Sequence, residues 1–310
     1  LGLVFLTKYE VFAAAFGAVL LGLGAFWWGR ASPGTPREIG AAAGALLLPP
    51  AGCLLWLLTY LPASEALLGM LGPYPYLWDP ALAGTNFYLG TLGFDAPGRR
   101  LAGMATWAFF YAIVTLPLAF LPRKAGQESG LRAMALGIPL AAYLVVGRSL
   151  AFRQALYPLP FALAAGLVWA LWPGRARRLE EPRQALRVGF LAFSMLMLVR
   201  VALNPTLSHY ALVLAFPGLA IAVVGLVEYL PAALNRIGRR GDLFRLAAIG
   251  LVVGFTASHL RVSAQIYESR RFTFGSGGDT LRGDETAVVV RAAVTLVERA
   301  PTGVRLVPER

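Results

Sequence analysis

Charged side chains are scarce in this sequence. Of its 310 residues, 14% are charged and 57% are hydrophobic, whereas soluble domains carry about 25% charged residues. A soluble fold needs a polar surface that this composition does not supply, so a soluble enzyme is excluded. The apolar runs are long enough to cross a bilayer, and they predict a membrane protein with several spans.

Groups that bind metals or form disulfides are also nearly missing. The chain has one cysteine, Cys53, and two histidines, which excludes an intrachain disulfide and a multi-thiolate metal centre. No catalytic triad or nucleophile elbow is visible. The glycines of residues 275–278 lack the lysine and serine of a P-loop. We predict no metal site and identify no cofactor.

Lysine is rare although the net charge is +12, because 26 of the 28 basic residues are arginine. In a soluble protein this charge would suggest a nucleic-acid partner. In a membrane protein, surplus arginine lies in cytoplasmic loops beside anionic lipid. The predicted partner is therefore the lipid bilayer and not a nucleic acid.

Windows of about 19 residues predict eight transmembrane helices. They cover residues 3–28, 40–61, 101–121, 131–146, 156–172, 188–203, 211–230 and 246–257. The fourth, sixth and eighth are short, so they have to tilt or pack inside the bundle. Pro49 and Pro50 are expected to kink or break the second helix, either as a structural feature or to line a cavity.

The predicted fold class is an all-α polytopic membrane protein. Residues 1–258 form the helical bundle, and residues 62–100 form a long external loop within it. Residues 259–310 form a small external α/β tail, with a helix across 286–299 and a strand across 304–307.

The loops alternate in charge, and this sets the predicted orientation. Loops after the odd-numbered spans hold fourteen basic residues, and loops after the even-numbered spans hold five. Basic residues concentrate in cytoplasmic loops, so the even loops and the tail are predicted to be external. The five basic residues of the even loops are Arg99, Arg100, Arg148, Arg153 and Arg200.

The external loop of residues 62–100 is too long for a simple connection. Its aromatic residues Tyr74, Tyr76, Trp78 and Tyr88 either form an interfacial belt or stack against a sugar or lipid. Asp79 is the candidate catalytic base of this loop, with a turn or capping aspartate as the alternative.

Charged residues at membrane edges are costly and are therefore candidates for function. Lys8 and Glu10 either lie in the interface with their charges in water, or Lys8 faces a site for an anionic group. Arg200 precedes His209 by a short stretch, and Arg148 and Arg153 belong to the same external face. Arginine binds phosphate through paired hydrogen bonds. Lys8, Arg148, Arg153, Arg200 and His209 are thus the candidate phosphate-binding residues.

Two segments resemble a known family. Residues 2–10, read as Gly-Leu-Val-Phe-Leu-Thr-Lys-Tyr-Glu, are similar to the Gly-x-x-x-Leu-Thr-Lys segment of bacterial membrane glycosyltransferases of the GT-C superfamily, relatives of protein O-mannosyltransferases and aminoarabinose transferases. Residues 204–217 resemble the His-Tyr-x-x-x-Leu-Ala-x-Pro stretch in their later spans. The tail is similar to their external C-terminal segment.

This resemblance implies an enzyme of the bacterial plasma (inner) membrane that transfers a sugar from a polyprenyl-phosphate carrier to an external acceptor. Lys8 and Arg200 would bind the carrier phosphate, and the loop of residues 62–100 would cover the cavity. The catalytic acidic residue of the family lies in a segment whose counterpart would precede Leu1. We therefore expect the chain to be the C-terminal portion of a longer protein, and no catalytic residue carries over.

Two other functions are compatible with the sequence. A secondary transporter or flippase for an anionic or lipid-linked substrate would also explain a broken helix and arginines at the membrane edge. No internal repeat is visible, although such transporters are usually built from two related halves. A scaffold whose tail binds a partner is the third possibility.

Overall fold

A computed structural model of the chain describes most of its residues. These are residues 1–6, 8–29, 36–72, 74, 85–122, 128–149, 152–172, 182–207, 210–274, 280–285, 287–289, 291–292 and 295. Contacts divide the chain into two compact units, Leu1–Gly250 and Leu251–Arg310. Each unit is described separately.

Helices dominate the described residues. In chain order the α-helices are α1 Gly2–Phe5, α2 Tyr9–Gly29, α3 Pro36–Leu57, α4 Ala63–Leu71, α5 Asn86–Leu92, α6 Pro97–Ala119, α7 Glu128–Ser149, α8 Leu159–Leu171, α9 Pro182–Leu198, α10 Tyr210–Val224, α11 Leu230–Arg236 and α12 Gly241–Ser269. Short 3₁₀ turns at Phe152–Gln154 and Val199–Val201 precede α8 and follow α9.

Within the described residues, eight helical stretches are long and apolar enough to cross a membrane. They are Tyr9–Phe26, Gly40–Leu57, Asn86–Ala119, Glu128–Val146, Phe152–Leu171, Arg183–Val201, Ala211–Arg236 and Gly241–Ser269. This confirms the predicted number of spans and the all-α polytopic class, and it identifies a multi-pass membrane protein.

The stretches predicted as short spans are longer in the structure. Helix α12 runs through His259, the predicted start of the tail, and ends only at Ser269. Hydropathy windows stop where polar residues begin, but a helix continues as long as its backbone hydrogen bonds do.

Two adjacent prolines lie within the second predicted span. The prediction for Pro49 and Pro50 was a kink or a break; they lie inside α3, and the helix is continuous from Pro36 to Leu57, so it does not break there. Pro50 has no N–H to offer the carbonyl of Leu46. Gly2 of α1 packs at this point, where a Cβ atom on Gly2 would lie 2.6 Å from the Leu46 oxygen.

Span seven contains a π-helical segment, Gly225–Tyr229, between α10 and α11. Pro231 follows this segment in the first turn of α11. Because proline cannot donate the usual backbone hydrogen bond, the helix accommodates it with a local change of winding.

The loop predicted for residues 62–100 contains the helices α4 and α5 and the start of α6 in its described parts. In the second unit, Phe272–Phe274 and Leu281–Gly283 form an antiparallel hairpin that the sequence did not indicate. The predicted tail strand across 304–307 and most of the predicted tail helix lie outside the described residues.

Helices α2 and α9 run antiparallel at the centre of the first unit. A Cβ atom on Gly22 would lie 3.4 Å from Cα of Gly189, and one on Gly17 would lie 2.6 Å from a Leu196 methyl group. Small residues allow two membrane helices to approach closely and pack well. This packing sets the start of α2 opposite the end of α9.

Contacts between loops separate the first unit into two ends. The arginine-poor end is marked by two sets of contacts: Glu10 pairs with Arg200, and Arg100 contacts Tyr157 and Asn204. The arginine-rich end is marked by Ala119, Glu128, Glu228, Arg240 and Arg245. In the described parts of the loops, residues of the even loops thus lie at one end and those of the odd loops at the other, as alternating spans require.

Candidate functional site

Arg200 forms an ion pair at the arginine-poor end. Its Nη1 contacts the carboxylate of Glu10 and donates a hydrogen bond to the hydroxyl of Tyr9. The Arg200 and Glu10 side chains are 26% and 14% exposed. Because α2 and α9 are antiparallel neighbours, the first turn of one helix meets the 3₁₀ turn that follows the other.

Tyrosine rings surround this guanidinium. Its central carbon lies 5.6 Å from the ring centre of Tyr9 and 5.9 Å from that of Tyr88. These distances fit cation–π attraction, which strengthens as water is removed. Tyr88 comes from α5, so the long loop contributes directly to the site.

Tyr74 supports the cluster from the other side. Its ring stacks on Phe5 at 4.7 Å and meets Tyr9 edge-on at 6.2 Å. Its hydroxyl donates a hydrogen bond to the Phe5 carbonyl at 3.3 Å. Burial raises the pKa of Tyr74, so the hydroxyl stays neutral and remains a donor at physiological pH.

Lys8 and Glu10 take different positions although they are two residues apart. Lys8 is exposed, whereas Glu10 is partly buried and faces Arg200. Positions two apart lie on different faces of a helix. The start of α2 therefore presents a cation to the surface and a carboxylate to the bundle.

A second guanidinium, that of Arg100, belongs to a hydrogen-bond network at the same end. Its Nη1 donates to the Tyr157 hydroxyl at 2.7 Å and to Asn204 Oδ1 at 2.9 Å, and its Nη2 pairs with Asp95 at 3.2 Å. Tyr157 also donates to Asn204 Oδ1, at 3.0 Å. The Nε atom of Arg100 is buried, and none of the described residues accepts a hydrogen bond from it.

Two hydrogen bonds join α5 to the residues that follow Arg200. Asn204 donates to the Gly90 carbonyl at 2.9 Å, and the Leu203 N–H donates to the Leu92 carbonyl at 3.0 Å. Gly93 ends α5 with φ of 83°, and a Cβ atom there would lie 2.8 Å from the Leu203 carbonyl carbon. Only glycine suits both the positive φ and this close approach. Helix α5 is thereby held against the turn that follows Arg200.

The structure brings part of the predicted site together. Arg200, Tyr88 and Tyr74 belong to one cluster, with Lys8 beside it in sequence. Arg153 is exposed, and its carbonyl accepts a hydrogen bond from the Leu207 N–H at 2.9 Å.

The remaining predicted residues are not placed in this cluster. Arg148 lies in the last turn of α7, but its side chain is outside the described part of the structure. His209, Tyr76, Trp78 and Asp79 also lie outside the described residues.

Four participants were not predicted in these roles. The sequence pattern indicates Glu10 only as a neighbour of Lys8, and it does not point to Tyr9, Arg100 or Tyr157. A usable signal for Glu10 was its opposite charge to Arg200 at the same predicted end. No local signal connects Arg100 with Tyr157, which lies 57 residues away.

The cluster combines cations with neutral donors at the edge of a helical bundle. Glu10 balances the charge of Arg200, and Asp95 pairs with Arg100, while Lys8 and Arg153 are exposed. Cations gathered in this way can bind a phosphate. Among the described residues, no three His, Cys, Asp or Glu side chains gather as a set of metal ligands.

Comparisons of the chain with protein families, with curated proteins and with solved structures found no match.

Proposed function

We propose that the protein is an integral membrane glycosyltransferase that moves a sugar from a polyprenyl-phosphate carrier to an acceptor on the external face of a bacterial plasma membrane. One observation supports this above the others. The two segments that resemble the GT-C superfamily, residues 2–10 and 204–217, each supply side chains to the polar contacts of the arginine-poor end. Tyr9 and Glu10 of the first segment contact Arg200, and Asn204 of the second binds Arg100.

The chemistry of sugar transfer from such a carrier suits this arrangement. The bond from the sugar to the phosphate breaks, and negative charge grows on the phosphate that leaves. Fixed cations and hydrogen-bond donors around that phosphate lower the barrier, because they are already oriented when the charge develops. Lys8, Arg153 and Arg200 supply cations at the end of the bundle, where the carrier's phosphate would lie at headgroup level and its polyprenyl chain would stay in the bilayer.

Glu10 has a positioning role in this proposal. Its carboxylate and the Tyr9 hydroxyl fix one nitrogen of the Arg200 guanidinium, which limits the rotation of a flexible side chain. The pair also keeps the partly buried end neutral while no phosphate is bound. Asp79 stays the predicted base of the long loop.

The test is sugar transfer in membranes that contain the protein, with a labelled polyprenyl-phosphate sugar as donor. Arg200→Ala should raise the apparent donor KM about ten- to a hundredfold, the range for hydrogen bonds to a charged group. Arg200→Lys should lose less than Arg200→Ala, because lysine keeps the positive charge although it lacks the planar set of N–H donors of a guanidinium. Arg245→Ala, at the other end of the bundle, is the control and should leave the donor KM unchanged.

Two results would refute the enzymatic proposal. The first is an absence of transfer by the full-length protein to any lipid, glycan or protein acceptor. The second is movement of the intact lipid-linked sugar across the membrane without transfer, which would favour the flippase. A broken second helix was one of the features that suggested the flippase, but α3 is continuous, so this feature no longer supports it.

A further inference from the structure

Arg240, at the arginine-rich end, is a buried arginine with incomplete pairing. Its side chain is 3% exposed, and Nη2 pairs with Asp242 at 3.1 Å and lies 3.9 Å from Glu128. Nε and Nη1 are buried, and no partner accepts a hydrogen bond from either of them in the described structure. Buried donors without a partner are rare and costly, so they call for an explanation.

The backbone holds this region in one conformation. Gly238, with φ of 73°, donates to the Asn235 carbonyl at 3.1 Å, and Arg239 donates to the Leu234 carbonyl at 2.9 Å. These two bonds form a Schellman motif, the common glycine-dependent end of a helix. The Arg240 N–H then donates to the Ala119 carbonyl at 2.9 Å, which ties the turn to the end of α6.

Arg239 and Arg240 line a cleft of about 410 Å³ together with Phe120, Pro122 and Gly238. Arg239 is exposed, and its guanidinium carbon lies 4.7 Å from the centre of the Phe120 ring. Stacking on a ring orients a guanidinium and leaves its edge available for hydrogen bonds. The cleft also adjoins the first turn of α12, whose dipole favours negative charge.

The charges around the cleft leave it positive. Arg240 faces the carboxylates of Asp242 and Glu128, Arg132 lies 3.5 Å from Glu128, and Arg239 adds a third positive charge. The Asp242 and Glu128 side chains are 41% and 57% exposed, so water weakens their compensation of the buried Arg240. The buried charge of Arg240 is screened by water far less than these exposed carboxylates are, so an anion in the cleft would be attracted to it strongly.

We propose that this cleft is a binding site for a phosphate group, with Arg239 as the direct contact and Arg240 as the buried charge behind it. Phosphate suits the planar donors of arginine. An acidic phospholipid headgroup and a free phosphate ion share this chemistry. Exposed apolar side chains beside the site, Phe120 at 55% and Ile237 at 69%, are compatible with a lipid whose acyl chains lie against the bundle.

The site differs from the one proposed for sugar transfer. It lies at the opposite end of the first unit and shares no residue with the Arg200 cluster. Its occupant would stabilise the junction of α6, α11 and α12, because it would complete the pairing of Arg240. The proposal does not depend on glycosyltransferase activity.

The experiment measures binding of phosphatidylglycerol to the purified full-length protein by native mass spectrometry, with phosphatidylcholine as the uncharged comparison. Arg239→Gln should weaken phosphatidylglycerol binding about fivefold, the effect of one arginine on an anionic lipid. Arg245→Gln removes the same charge from the same end but lies in the exposed pair with Glu228, so it should change binding little. Arg240→Gln should weaken binding too. If the Arg240→Gln variant does not fold, Arg239→Gln still tests the proposal, because Arg239 is exposed and its replacement should not disturb folding.

Inorganic phosphate distinguishes the two sources. If phosphate raises the unfolding temperature of the wild type but not of Arg239→Gln while phosphatidylglycerol shows no preference, the occupant is a free phosphate. If only the phospholipid binds in an Arg239-dependent way, the occupant is a headgroup. Equal losses in Arg239→Gln and Arg245→Gln, or binding of neither probe, would overturn the proposal.

Discussion

The contribution of the ion pair between Glu10 and Arg200 to the free energy of unfolding can be compared with that of a second ion pair in the chain, which is more exposed. Arg200→Met removes the cation but keeps much of the side-chain volume, and it leaves the Glu10 carboxylate, 14% exposed, without its charged partner. Removing one member of a fully buried pair costs about 3–5 kcal/mol. The partial exposure of both side chains reduces our expectation to about 2–3 kcal/mol.

Glu10→Gln should cost less than Arg200→Met, because the amide still accepts a hydrogen bond from Arg200. The double variant Glu10→Gln with Arg200→Met removes both charges, so no unpaired ion remains in the bundle. We expect the loss of stability in the double variant to be about 2 kcal/mol smaller than the sum of the losses in the two single variants. A coupling energy of this size is within the range for residues in contact.

The control is the pair of Glu228 and Arg245, joined at 3.1 Å with side chains 62% and 45% exposed. Exposed pairs couple by about 0–1 kcal/mol. The assay is equilibrium unfolding in detergent for each set of single and double variants, at low salt and at high salt. Salt should reduce the coupling of the exposed pair and leave that of Glu10 and Arg200 nearly unchanged. Equal coupling energies in the two cycles would refute the reasoning.

Three further predictions use thermal unfolding in detergent as the measurement. Gly22→Ala should be tolerated, since its Cβ contact is 3.4 Å, whereas Gly22→Leu should cost about 1–3 kcal/mol by overpacking; similar values for both would contradict this. Gly93→Ala should cost about 2–4 kcal/mol through its positive φ and its close contact, while Gly90→Ala, whose Cβ meets nothing within 4 Å, should be neutral or slightly stabilising. Asn204→Ala should cost about 1–3 kcal/mol because Arg100 loses an acceptor, and an unchanged unfolding temperature would exclude that role.

Helix counts follow from composition because a bilayer admits only a narrow range of structures. Every backbone polar group in the bilayer must bond internally, so an apolar run of sufficient length forms a helix. The eight spans were therefore predictable. The extent of α12 was not, because hydropathy reports where lipid solvates a helix and not where its hydrogen bonds end. The continuity of α3 at Pro49 and Pro50 was equally hidden, since neighbouring elements decide whether a proline interrupts a helix.

The candidate site was predictable only in part. Arg200 was identifiable, because a charged residue within or beside an apolar span is a candidate for function. Its partner was not, because Glu10 lies 190 residues earlier and the apolar residues between them do not determine which helices pack together. The distances at Gly22 and Gly189 show what decides the pairing, which is close approach of small residues on two antiparallel helices.

The sequence by itself determined the membrane class, the number of spans and the separation of the loops into two ends, since these depend on local composition and on the alternation of spans. Tertiary structure decided which charges meet. It paired Arg200 with Glu10, placed Arg100 in a network with Tyr157 and Asn204, and buried Arg240 at the other end. These pairings depend on the packing of helices distant in sequence, because the energy of a charge in a membrane protein is set by its neighbours in space and by the water they exclude.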